Sequence, residues 1–87
     1  MPGRYTIFLA SEVAQFLFGL RRTEREAVRR FLDFLSDYPT SAGETEERDA
    51  VGRTVQVKLF RHVKVVYYPD HGEKLVKILR IEGLTRR

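Results

Sequence analysis

Three strand-length segments follow one another over the last third of the chain: TVQVKLF, RHVKVVYY and EKLVKILRI. In the first, Val55, Val57 and Leu59 alternate with Thr54, Gln56, Lys58 and Phe60; in the second, Val63, Val65 and Tyr67 alternate with His62, Lys64, Val66 and Tyr68. A period of two marks strands, because successive side chains point to opposite faces. It turns Lys58 and Lys64 away from the valines. The third segment is apolar on both sides, with Leu75, Leu79 and Ile81 beside Lys77 and with Val76, Ile78 and Arg80 opposite, the pattern of a central strand. A chain built this way must form a sheet, and one face of that sheet needs a cover.

The cover is encoded upstream. Val13, Phe16, Leu17 and Leu20 recur at i, i+3, i+4 and i+7, which sets them on one face of a first helix, and Ser11 stands where it can cap it. Thr23-Glu24-Arg25-Glu26 matches a capping box, in which Thr23 and Glu26 satisfy each other's backbone N–H groups and start a second helix. That helix is predicted to reach about Tyr38, with Ala27, Phe31, Phe34, Leu35 and Tyr38 on one face, Val28 and Leu32 widening it, and Pro39 stopping it. Arg22, Arg25, Arg29 and Arg30 are left on the outer side. Tyr5 to Leu9 reads as a short opening strand, residues 39–52 as a polar, acidic loop, and Pro69-Asp70-His71-Gly72 as a turn in which the glycine takes positive φ. The order is β-α-α-β-β-β, with no repeats. At 87 residues the expectation is one α+β domain over 1–87, a helical hairpin packed on a small, mainly antiparallel sheet.

Charge is distributed unevenly. Residues 1–52 carry seven basic and nine acidic side chains, whereas residues 53–87 carry nine basic and three acidic. A positive field on the sheet suits a polyanionic or acidic partner, and also suits a plain solvated surface. The absence of cysteine excludes disulfides and thiolate metal sites. No stretch approaches a membrane span and the start lacks a long apolar signal region, so a cytoplasmic protein without membrane contact is expected.

Two histidines, His62 and His71, do not make a structural zinc site by themselves, and no glycine-rich loop follows a strand. Neither a metal nor a cofactor is expected. What remains is a set of cations and aromatics on the strands, Lys58, Arg61, His62, Lys64, Tyr68 and Arg80, of which Lys58, Lys64 and Arg80 are expected to project to the same face with His62 and Tyr68 among them. Cations without metal ligands suit cleavage of RNA by its own 2′-hydroxyl, which needs a base, positive charge on the pentacovalent phosphate and an acid for the leaving 5′-oxygen. Crowded cations lower a lysine's pKa toward a usable base, and Tyr68 can stack a nucleobase. The same residues also fit ordinary outward strand positions.

The element order, the apolar helices ending before a proline, and the run G-R-T-V-Q-V-K-L-F followed by V-K-V-V-Y-Y and K-I-L-R-I resemble the RelE/ParE superfamily of toxins, from Tyr5 to Ile81. The resemblance implies the toxin of a type II toxin–antitoxin pair, held by a cognate antitoxin protein. In the RelE branch it implies a ribosome-dependent mRNA endonuclease, with ribosome and mRNA as partners. Lys58 and Lys64 match the branch's basic strand positions and Tyr67 its strand tyrosine. Lys58, Lys64 and Arg80 are then the expected catalytic residues, with Arg61, His62, Tyr67, Tyr68, Arg86 and Arg87 binding substrate. Two departures stand out: Gln56 replaces a second strand lysine, and no tyrosine follows Ile81. They leave open a ParE-like inhibitor of DNA gyrase that acts through protein contacts, and a binding module without catalysis.

Overall fold

Strand β1 (Thr6–Leu9) leads into helices α1 (Ser11–Phe18) and α2 (Arg22–Asp37), and four strands follow: β2 (Thr45–Arg48), β3 (Thr54–Leu59), β4 (Val63–Asp70) and β5 (Leu75–Gly83). The computed structural model describes residues 4–41 and 43–84. The sheet order is β1-β5-β4-β3-β2; β1 runs parallel to β5 and every other pairing is antiparallel. The two helices pack on one face, and no described element covers the other, open face.

The helix-side core contains Leu17 of α1, Val28, Leu32 and Leu35 of α2, and Val63, Val65, Tyr67, Val76, Ile78 and Ile81 of the sheet. The buried stripe of α2 is therefore Val28, Leu32 and Leu35, with Phe34 and Tyr38 left exposed, a rotation away from the expected face. Ser36 sits among the buried residues, its hydroxyl donating to the Tyr5 carbonyl at 2.6 Å while the Tyr5 N–H donates to the Ser36 carbonyl at 3.0 Å. This pair pins the entry of β1 to the end of α2, and it satisfies a polar side chain that burial would otherwise penalise.

Several local expectations are corrected. The capping box does not form: α2 begins at Arg22 after Arg21, without a side-chain cap. The Arg25 guanidinium instead donates to the carbonyls of Phe18 and Leu20, at 3.3 and 3.2 Å, tying the two helices at their junction. Ser11 lies inside α1, whose cap position is Ala10. Pro69 and Asp70 belong to β4, and the residue with positive φ in the following turn is Lys74, at 56°, rather than Gly72.

The acidic segment read as a loop contains a strand. Thr45 to Arg48 pair with Val57 to Thr54 and add a fifth, edge strand to the sheet. TEER has no apolar alternation, so hydropathy gives no sign of it, and charged residues are what an exposed edge carries. Its entry is set by Gly43, where a Cβ would collide with the Val57 carbonyl. Its exit is an Asp49–Gly52 turn, with Gly52 at φ 85° and the Asp49 carboxylate accepting from the N–H groups of Val51 and Arg53. Glycine takes such a φ without the steric penalty a Cβ would bring.

Candidate functional site on the open sheet face

Register decides which cations meet. The β3–β4 connection leaves only Arg61 and His62 between the bonded Phe60 and Val63, so Leu59 pairs with Lys64 and Lys58 with Val65. Directly paired residues of antiparallel strands share a face. Lys64 therefore lies on the open face and Lys58 on the helix face, which corrects the expectation that they project together. The Lys58 ammonium sits at the rim of the helix-side core, 5.5 Å from the Phe31 ring centre and 5.8 Å from that of Phe60, and pairs with Glu44 at 3.1 Å.

Arg80 joins Lys64 because of a bulge. Val66 pairs with Arg80 but Tyr67 pairs with Ile78, so Leu79 is an extra residue in β5. The bulge shifts the alternation by one position: Ile78 and Ile81 both enter the helix-side core, while Arg80 turns to the open face beside Lys64. Beneath these cations lies a second, smaller core of Val55, Val57 and Val66, each at most 2% exposed, with Tyr68 and Leu79 packed against it.

The organising group of the site is an acid, Glu47 of β2. Its Oε2 lies 2.7 Å from Lys64 Nζ and its Oε1 lies 3.2 Å from Arg80 Nη2; Arg80 Nε also reaches Glu82 Oε2 at 2.8 Å. The hydrogen bond from Lys64, with the charges of Lys64 and Arg80, holds the Glu47 carboxyl below its ordinary range. Two cations from neighbouring strands are thus aimed at one planar anion. Sequence reasoning missed Glu47 because it assigned this acidic stretch to a loop; opposite charge to the cations on β4 and β5 was the available signal.

A second charged group occupies the same face. Arg53 stacks 4.1 Å over the Tyr68 ring and donates to its hydroxyl at 2.9 Å, while Asp49 holds Arg53 at 2.6 Å. Lys77 pairs with Asp70 at 3.3 Å, and that hydrogen bond, above all, raises the Lys77 pKa. Lys64, Arg80, Arg53 and Lys77 on this face are all matched by Glu47, Glu82, Asp49 and Asp70. The positive field expected of the sheet is offset there, half by Glu47 and Asp49 of β2 and the turn after it and half by Asp70 and Glu82 of β4 and β5.

The remaining predicted residues separate. Tyr67 is fully buried on the helix side; its hydroxyl donates to the Ser41 carbonyl at 3.1 Å, and burial raises its pKa to about 12. It is shielded from any surface ligand, which corrects its assignment to substrate binding. Arg61 is exposed in the β3–β4 turn, and His62 lies beside Arg21, Glu24 and Leu84, its carbonyl accepting the Leu84 N–H at 2.8 Å. Arg86 and Arg87 lie outside the described residues.

A helical hairpin on one face of a five-stranded mixed sheet, with β1 docked in parallel on the strand that ends the fold, defines a RelE-like architecture. Solved structures share it. The RelBE2 toxin–antitoxin complex of Mycobacterium tuberculosis matches with a TM-score of 0.73 at 22% identity, over 92% of this chain and 98% of that one. The archaeal RelE–RelB complex of Pyrococcus horikoshii gives 0.77 at 17% identity, over 97% and 99%, and a free mutant of the Escherichia coli toxin RelE gives 0.71 at 15%, over 92% and 83%. No protein-family model and no curated protein matches the chain. At these identities the likeness is one of fold, and there it agrees with the resemblance carried by the strands.

Proposed function

We propose that this protein is the toxin of a toxin–antitoxin pair and cleaves mRNA on the ribosome. The observation that carries the nuclease reading is the convergence of Lys64 and Arg80 on the two oxygens of Glu47. A carboxylate held this way stands in for two non-bridging oxygens of a phosphodiester. When RNA displaces it, Lys64 and Arg80 are aimed at the phosphate on which charge grows during attack by the 2′-hydroxyl. The fold's likeness to toxins solved in complex with their antitoxins supports a cognate antitoxin as partner. On this proposal the pair acts in the cytoplasm, where the ribosomes are. No helix among the described residues is long and apolar enough to cross a membrane.

The test is incubation with programmed ribosomes followed by mapping of new mRNA 3′ ends. Cleavage by the wild type that is lost in the Lys64→Ala, Arg80→Ala variant is the expected result, and intact mRNA at saturating protein refutes the nuclease. A second reading is favoured by one observation: the open face is charge-balanced and Lys58 lies across the sheet from Lys64, so the cation cluster expected of a nuclease is thinned. In that reading the protein inhibits DNA gyrase through protein contacts, and a supercoiling assay would show inhibition without RNA cleavage.

A further inference from the structure

Among the described residues, the cations without a close carboxylate partner lie away from the open face. Three of them gather at one end of the molecule, where the α1–α2 junction meets the β3–β4 turn: Arg21, Arg22 and Arg61, all exposed. Arg21 and Glu24 from the helix side and His62 and Leu84 from the sheet side line one cleft of about 310 Å³ there. Arg22 reaches only Glu26, at 3.7 Å, with its side chain 83% exposed; an ion pair that loose in water contributes little. The end is also well braced, by Arg25 on the Phe18 and Leu20 carbonyls and by the Leu84 N–H on the His62 carbonyl. Arg29 and Arg30 farther along α2 line a separate cleft, in which two acids, Glu26 and Asp33, stand beside them.

We propose that this end docks the phosphate backbone of RNA beyond the segment held on the open face. Lys64 pairs with Glu82 at the same end of the sheet, so a strand leaving the Lys64–Arg80 pair passes over the β3–β4 turn toward Arg21 and Arg22. Guanidinium groups match phosphate oxygens two at a time, and the His62 ring adds an N–H donor. Glu24 lines the cleft and Glu26 stands beside Arg22, so the three arginines outnumber the acids by one and the end keeps a net positive charge. Phosphates so held are read without regard to sequence, which fits a contact that positions a substrate. The inference rests on the polynucleotide reading of the open face, and the variants below let either one fail alone.

The experiment is fluorescence anisotropy with a labelled single-stranded RNA over a salt series. The R21A/R22A/R61A variant, with its melting temperature checked, is expected to bind about tenfold more weakly and to lower the slope of log affinity against log salt by about 2, as three lost phosphate contacts require. The R29A/R30A variant is expected to keep affinity and slope. Unchanged affinity and slope in the triple variant, with K64A/R80A impaired, overturns the proposal and leaves the open-face site standing. The reverse pattern upholds the docking end and removes the open-face site. Equal loss in R29A/R30A, or displacement of RNA by poly-glutamate as effective as by unlabelled RNA, overturns it, the first in favour of diffuse charge and the second in favour of an acidic protein partner.

Discussion

Lys64 Nζ stands 2.7 Å from Glu47 Oε2, and the other oxygen of the same carboxylate takes Arg80. The residues cross from an edge strand over β3 to β4 and β5, so the acid folded back from β2 occupies the place an incoming phosphate would need. In the proposed function, binding RNA on this face would therefore be an exchange of one anion for another.

Removing the resident anion should ease that exchange. Glu47→Gln keeps the side chain's shape and gives up its charge, and it is expected to raise RNA affinity roughly threefold to tenfold at low salt, with the gain shrinking as salt is added. Anisotropy titrations of the two proteins check it. Equal or weaker binding by the variant would show that Glu47 does not compete with the ligand.

Lys58 and Lys64 should behave as members of different neighbourhoods. In titrations of single and double variants, the effects of Lys58→Ala and Arg80→Ala are expected to multiply, as they do for sites with no shared partner. Those of Lys64→Ala and Arg80→Ala should combine to less than their product, because both side chains grip the same group. Strong coupling of Lys58 to Arg80 would contradict the register of β3 and β4.

Tyr67→Phe removes the hydroxyl that donates to Ser41. A cost of about 1 kcal/mol in chemical denaturation is expected for one lost buried hydrogen bond, with RNA affinity unchanged. A fall in affinity at intact stability would give the buried tyrosine a ligand role that its position denies.

Gly43→Ala should destabilise the protein by roughly 1–3 kcal/mol, because the added methyl must push the Val57 backbone aside. Thermal melts measure it. A variant as stable as the parent would mean that the chain entering β2 yields easily.

Acid should weaken the fold through the carboxylates around β2 and at the end of β4. Glu44, Glu47, Asp49 and Asp70 all have lowered pKa values: Glu44 chiefly through the Leu59 N–H, Glu47 through Lys64, and Asp70 through the Glu73 N–H. For Asp49, burial pushes the other way and is outweighed by bonds from Arg53 and Val51. Carboxyl groups lowered in the folded state add stability that is full above their ordinary values of 4.5 and 3.8, and that is lost as pH falls through the lower folded values. The melting temperature should stay level from neutrality to about pH 5 and drop below it, less steeply in Glu47→Gln. A level profile down to pH 3 would remove these pairs as stabilising elements.

The sequence announced the sheet and the helical hairpin because Val55, Val57, Val63, Val65, Val28, Leu32 and Leu35 follow the periods of strand and helix. It did not announce β2, whose TEER residues owe their conformation to backbone bonds with β3 and to acids meeting cations far along the chain. The site was legible in its cations but not in its faces. Parity depends on the Arg61–His62 turn, which pairs even positions of β3 with odd positions of β4, and on the extra Leu79 in β5. Both are decided by how strands meet, information that no single segment contains. Lys64 and Arg80 came together as expected, for a reason that simple alternation would have ruled out.

The parallel pairing of β1 with β5, Thr6 opposite Leu75, also orders events in time. The β2–β3–β4–β5 hairpins can close through near neighbours in sequence, whereas β1 must wait for a partner made after all the other described strands. Until then its Ile7 and Leu9 lack their neighbours Val76 and Ile78. The growing polypeptide therefore carries an unfinished sheet until β5 has been made, and Arg80, on that same late strand, joins Lys64 only then.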